Sequence, residues 1–140
     1  RLLNILFLIL SCTIVFGLSN KKVVATSKDK TVLTVYYFHA TNRCPTCVAI
    51  ESNTKKTVET YFANEIKQGK IKMVIIDTDL PVNKTVCEKF QAFGIKLLLN
   101  KTIKGKETTE DLTSLGFSKA RNKPEEFMSE LKSKISLMLK

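Results

Sequence analysis

Thr31-Val-Leu-Thr-Val-Tyr-Tyr-Phe-His-Ala-Thr-Asn-Arg-Cys-Pro-Thr-Cys47 decides the reading of this chain. Residues 31–38 are rich in β-branched and aromatic side chains and contain no breaker, which is the composition of a buried strand. Cys44 and Cys47 follow with two residues between them, at the point where a strand hands over to a helix. The short loop lets the second sulfur reach back to the first, and the helix N-terminus favours a thiolate over a thiol. The motif therefore reads as a reversible dithiol/disulfide site.

Outward from the motif, the hydrophobic pattern changes period. Ile50, Thr54, Val58, Phe62 and Ile66 recur at helical spacing and predict one long helix from Pro45, ended by Gly69. Residues 70–77 predict a second buried strand. Asp79 or Asn83 then starts a shorter helix with Val82, Val86, Phe90 and Phe93 facing the core and Gly94 as its C-cap. Residues 95–100 predict a third strand, Lys104-Gly-Lys106 a turn, and residues 107–112 a fourth strand. A last helix is expected over 124–139, with Asn122 as cap and Phe127, Leu131, Ile135 and Met138 on its inner face.

The order strand, helix, strand, helix, strand, strand, helix is that of the thioredoxin-like fold. The expected architecture is an α/β three-layer sandwich, a mixed four-stranded sheet with helices on both faces. Its first two strands should be parallel neighbours and its last two an antiparallel hairpin. The dithiol then lies at the C-terminal edge of the first strand, where open α/β sheets place their sites.

The 140 residues hold one domain, and a hydrophobic fraction of 44% is enough for a packed core. Lysine and arginine outnumber the acids 23 to 13, a net charge of +10 that would suit nucleic acid if it were concentrated in one stripe. The lysines are instead scattered among glutamates, threonines and asparagines, so no nucleic-acid partner is expected.

The first stretch, residues 1–19, has a positive start and an unbroken apolar run ending in small residues, the pattern of a secretory signal peptide. Gly17 and Ser19 suit cleavage before Asn20. A retained membrane anchor is the other reading, although the run is somewhat short to span a bilayer. Ile9-Leu-Ser-Cys12 loosely resembles a bacterial lipoprotein box, which makes lipidation at Cys12 a further alternative, but residues 13–18 are apolar where a polar tether normally follows. The expected location is outside the cytoplasm, in the periplasm. Residues 20–30 are polar and charged and suit a linker, leaving 31–140 as the domain. Three cysteines then remain, one pair and one free thiol.

Cys44 is expected to be the exposed nucleophile and Cys47 the resolving thiol, because a residue at the helix start projects to solvent while one a turn later faces inward. Arg43 and the helix N-terminus should both lower the Cys44 pKa. Pro45 fits the first helical turn, where its missing N–H costs nothing and its fixed φ stiffens the loop. A purely structural bridge is the alternative, but it would close too small a loop to constrain the unfolded chain much. Glu51, one turn after Cys47, is a candidate proton shuttle or an Arg43-paired carboxylate. His39, the only histidine, is a packed residue, a proton donor, a thiolate partner, or a third metal ligand. Cys44, Cys47 and His39 together would suit copper(I) or zinc, so a metal-binding module is the competing function class. A redox-silent adaptor is a third. Cys87 reads as a half-buried free thiol.

These residues carry a resemblance. The strand, then Phe38 to Cys47, then Glu51, resembles the thioredoxin superfamily. More narrowly, Tyr36-Tyr-Phe-His39, Arg43-Cys44, Cys47 and Glu51 are similar to the small exported bacterial proteins named the nitrophenyl compound nitroreductase subunit ArsF family. Asn100, Gly105-Lys-Glu107, Leu112-Thr113, Gly116-Phe117 and Ala120-Arg-Asn122 extend the similarity. The CxxC at a strand-to-helix junction in this element order predicts an exported thiol-disulfide oxidoreductase acting as a monomer on a protein dithiol or disulfide, with a membrane electron carrier as a candidate partner. No cofactor is expected, since the chain has no Gly-rich phosphate loop to hold a flavin. Two departures from ordinary thioredoxins stand out. The proline before their third strand has no counterpart near Lys96 or Leu97, and their buried aspartate on the first strand is replaced by Tyr37.

Overall fold

The computed structural model describes residues 31–140; the expected signal peptide over 1–19, Cys12 and the linker over 20–30 lie outside the described residues. The chain runs β1 (Val32–His39), α1 (Pro45–Tyr61), α2 (Ala63–Lys67), β2 (Ile71–Asp77), a 3-10 turn (Pro81–Asn83), α3 (Lys84–Phe90), β3 (Lys96–Ile103), β4 (Lys106–Asp111), α4 (Thr113–Lys119) and α5 (Pro124–Leu139). The four strands form one mixed sheet in the order β2-β1-β3-β4. β1 pairs parallel with β2, with His39 opposite Asp77, and antiparallel with β3, with Phe38 opposite Lys96. β3 and β4 form the hairpin, closed by Lys104 and Gly105, whose φ values of 50° and 80° are the positive pair that a two-residue hairpin loop requires.

Alternation along β1 divides the core in two. Leu33, Val35 and Tyr37 point to the larger face, where Ile50 and Val58 of α1, Leu112 and Ala120 beside α4, and Phe127, Leu131 and Ile135 of α5 cover them. Phe38, with Ile76 and Leu98 from the flanking strands, points to the other face and is covered by Cys87 and Ala92, with Val86 and Phe90 packed against it. The sheet thus carries helices on both faces, as an α/β sandwich does. β1 lies inside the sheet with both of its faces covered, so the strand that leads into Cys44 is held from four sides.

Several elements differ from the sequence expectation. The long helix breaks at Phe62, which leaves helical geometry at φ −131° and ψ 24°, and the chain resumes as the short α2. Phe62 stays buried while Ile66 is exposed, so the fifth position of the apolar stripe falls off the core. The second predicted helix has Asn83, the later of its two expected starts, as N-cap, and it ends before the expected Gly94. Pro81 opens a 3-10 turn before it, and Gln91, in the left-handed region at φ 49°, ends it in the role assigned to Gly94. Val82 and Phe93, expected in the core, therefore lie outside the helical register and are 85% and 80% exposed. α4 has no counterpart in the sequence reading. It packs so closely on α1 that a Cβ at Gly116 would meet Ile50 at 3.1 Å. α5 has the predicted span, but Lys123 rather than Asn122 precedes it, without a side-chain cap.

Candidate functional site

β1 ends at His39, and five residues later Cys44 occupies the N-cap of α1 with extended backbone, φ −77° and ψ 159°. Serine, threonine, aspartate or asparagine usually fill this position, offering an oxygen to the unpaired N–H groups of the first turn. Here the acceptor is sulfur: the Cys47 N–H donates to Cys44 Sγ at 3.2 Å. Pro45 takes the first helical position, where no N–H is needed. The first turn contains no acidic residue, so the positive end of the helix dipole faces the sulfur uncompensated.

Cys44 and Cys47 are joined in a disulfide with a Cα–Cα distance of 5.1 Å. Cys44 is exposed, whereas Cys47 is 2% exposed and faces the sheet. Any attacking group from outside meets the Cys44 sulfur first. Cys87, the free cysteine among the described residues, is buried in α3 on the opposite face of the sheet. Burial raises its thiol pKa, and Glu88 adds to the effect.

Three further side chains close around the first turn. Arg43 Nη2 donates to Glu51 Oε2, and the Arg43 guanidinium lies 5.8 Å from the centre of the Tyr37 ring. The Tyr37 hydroxyl donates to the Cys47 carbonyl at 2.7 Å. Burial pushes the Tyr37 phenol up, only partly countered by Arg43. Burial works against the charge of Arg43, but Glu51 and Tyr37 more than offset it, so the guanidinium stays cationic. Its Nε is buried without an acceptor.

The loop between β1 and Cys44 is tied to the end of β2. The Thr41 N–H donates to Asp79 Oδ2 at 2.9 Å, and the Thr41 hydroxyl donates to Asp77 Oδ2 at 2.8 Å. The Asp79 N–H bonds Asp77 Oδ1 at 3.0 Å. The Asp77 carboxyl is held below its ordinary value first by that backbone bond, then by Thr41, with His39 and Arg43 adding attraction.

The structure thus brings Cys44, Cys47, Arg43, Pro45 and Glu51 together at the first two turns of α1. His39 is placed differently. Its Nδ1 lies 2.9 Å from the Ala40 carbonyl, which only accepts, so Nδ1 is the donor of that bond. With Cys44 and Cys47 joined in the disulfide, no three His, Cys, Asp or Glu side chains among the described residues are grouped to hold a metal ion. Tyr37 as a partner of Cys47, and Thr41 with Asp77 and Asp79, are site residues that the sequence did not yield. The Thr41 bonds join positions 36 and 38 residues apart, and no local spacing signals such pairs.

At the same end of the sheet, Leu80, Pro81, Cys87, Ala92 and Phe93 line a groove of about 480 Å³ beside the loop that Asp79 ties to Thr41. Among the described residues no helix is long and apolar enough to cross a membrane.

Fold and site together define a thioredoxin-like protein with a CxxC disulfide at a helix N-terminus. Neither the sequence profiles of known protein families nor the curated proteins give a match to this chain.

Proposed function

We propose that this protein is an exported thiol-disulfide oxidoreductase that cycles Cys44 and Cys47 between dithiol and disulfide with a protein partner. The observation that carries the reading is the placement of the pair: an exposed sulfur capping the first turn of α1 and a buried one a turn later. In the reducing direction the Cys44 thiolate attacks a partner disulfide, forming a mixed disulfide and releasing one partner thiolate. The Cys47 thiolate then attacks Cys44 Sγ, closes the Cys44–Cys47 bond and releases the second partner thiolate. Two electrons pass to the partner. Oxidation of a partner dithiol is the same sequence reversed.

Arg43, Pro45 and Glu51 shape the turn in this reading, and His39 stands at the strand end that feeds it. The exposed Leu80, Val82 and Phe93 at the rim support a protein rather than a small molecule as partner. The apolar leader supports export to the periplasm, and a membrane electron carrier is the partner suited to that location. The thioredoxin-like fold around the CxxC supports the same assignment, and the protein is taken to act as a monomer and without a cofactor. Thiol trapping after equilibration in glutathione buffers tests it. A pair that titrates between dithiol and disulfide supports exchange, and one that stays oxidised at every accessible potential leaves a structural bridge. Cys47→Ser should accumulate a mixed disulfide through Cys44.

A further inference from the structure

Tyr37 is fully buried in the middle layer of the sheet, where packing alone asks only for an apolar ring. A buried hydroxyl costs free energy unless it finds an acceptor, and this one finds the carbonyl of Cys47. A helical carbonyl has a second lone pair free for such a bond. We propose that Tyr37 is a positioning residue of the dithiol: its hydroxyl fixes the first turn of α1 through the Cys47 carbonyl, so that the Cys47 N–H stays aimed at the sulfur of Cys44. This rests on the exchange reading above and adds to it the device that holds the thiolate.

Arg43 stands beside Cys44 in sequence, but its guanidinium is bonded to Glu51 and lies against the Tyr37 ring. The cation is thus largely neutralised, and the backbone N–H of Cys47 is the donor in contact with the sulfur. The charged and titratable groups around the turn are Tyr37 and His39 from β1, Arg43 from the loop, Cys47 and Glu51 from α1, and Asp77 from the end of β2. The arrangement makes opposite demands of two substitutions. Tyr37→Phe keeps the ring and removes the tether, which weakens the N–H bond to the thiolate. Glu51→Gln leaves the tether and frees the Arg43 charge, which strengthens the thiolate.

The experiment is the pH profile of iodoacetamide reaction at Cys44 in the full chain reduced with dithiothreitol. Tyr37→Phe should lower the thiolate fraction roughly two- to tenfold at about pH 6, the range that one hydrogen bond spans. Glu51→Gln should raise it. Fluorotyrosine at position 37 keeps the hydroxyl and makes it a stronger donor, and should raise it too. A Tyr37→Phe profile that superimposes on the parent, or a fluorotyrosine profile that does, overturns the inference. No partner disulfide takes part, so that failure is distinct from a failure of exchange in glutathione buffer.

Discussion

The guanidinium of Arg43 is bonded to the carboxylate of Glu51, across the first two turns of α1, with both side chains about one quarter exposed. Sequence proximity puts Arg43 beside Cys44, but geometry commits its charge elsewhere. Removing Arg43 leaves Glu51 as an unneutralised anion on the helix side nearest the dithiol.

Arg43→Ala should therefore slow alkylation of reduced Cys44 through the remaining Glu51 as much as through the lost cation. The change is bounded at about one pKa unit, roughly tenfold in thiolate fraction, because the pair is partly solvated. Arg43→Ala combined with Glu51→Gln should return the rate close to the parent value. A double variant as slow as Arg43→Ala alone would show that the cation acts on the sulfur directly. The readout is the iodoacetamide rate across pH.

Gly116 should tolerate no side chain without a cost at the dithiol helix. A Cβ there would approach Cδ1, Cγ1 and Cγ2 of Ile50 at 3.1, 3.2 and 3.3 Å, and Ile50 is fully buried three residues after Cys47. Alanine gains about 1 kcal/mol of helix propensity over glycine, against about 1–3 kcal/mol for overpacking a filled core. Gly116→Ala is expected to lower stability by about 1 kcal/mol, and Gly116→Val by about 2 kcal/mol or more, read from urea denaturation midpoints. An unchanged or raised midpoint for Gly116→Val would show that α1 and α4 separate freely.

Asp77 links acid stability to the loop that carries Cys44. Its folded-state pKa lies below the ordinary 3.8, through the Asp79 N–H first and the Thr41 hydroxyl next. A depressed carboxylate contributes stability that is present above its unfolded value and lost as pH falls through the folded one. Asp77→Asn should therefore flatten the fall in denaturation midpoint below about pH 4 and leave the slope at neutral pH unchanged. It should also speed hydrogen exchange at the Thr41 amide, whose acceptor Asp79 is held by Asp77. Equal midpoints at every pH for parent and variant would remove Asp77 from the acid response.

Much of this fold was legible because its strongest signals are local. Residues 31–47 place a strand, a turn and a capped helix in sequence, and the apolar spacing of Phe127, Leu131 and Ile135 defines α5. The misreadings share a cause. Val82 and Phe93 extend the α3 pattern by periodicity alone, but Pro81 and the left-handed Gln91 stop the helix inside those positions. α4 escaped because seven residues with a glycine among them make too short a stripe to count. At the site, the CxxC motif and Arg43 were readable, whereas Tyr37 and Asp77 gain their meaning only when β1, α1 and β2 come together.

Cys44 and Cys87 should differ sharply as thiols in the reduced protein. Cys44 is exposed at a helix N-terminus, which favours the thiolate. Cys87 is 5% exposed between Phe38, Ile76 and Leu98, and its thiol is raised by burial first and by Glu88 second. Iodoacetamide at mildly acidic pH should modify Cys44 alone, with Cys47 and Cys87 reacting much more slowly. Modification of Cys87 requires α3 to lift from the sheet. That helix is a seven-residue segment bounded by Gln91 and a 3-10 turn, so its opening should be local. The Cys87 rate should then rise at urea concentrations below the global unfolding transition, while the Cys44 rate stays flat. Equal rates at all three cysteines across pH would show that Cys44 is not activated and would take the nucleophile assignment with it. A Cys87 rate that rises only with global unfolding would show α3 to be as firmly held as β1.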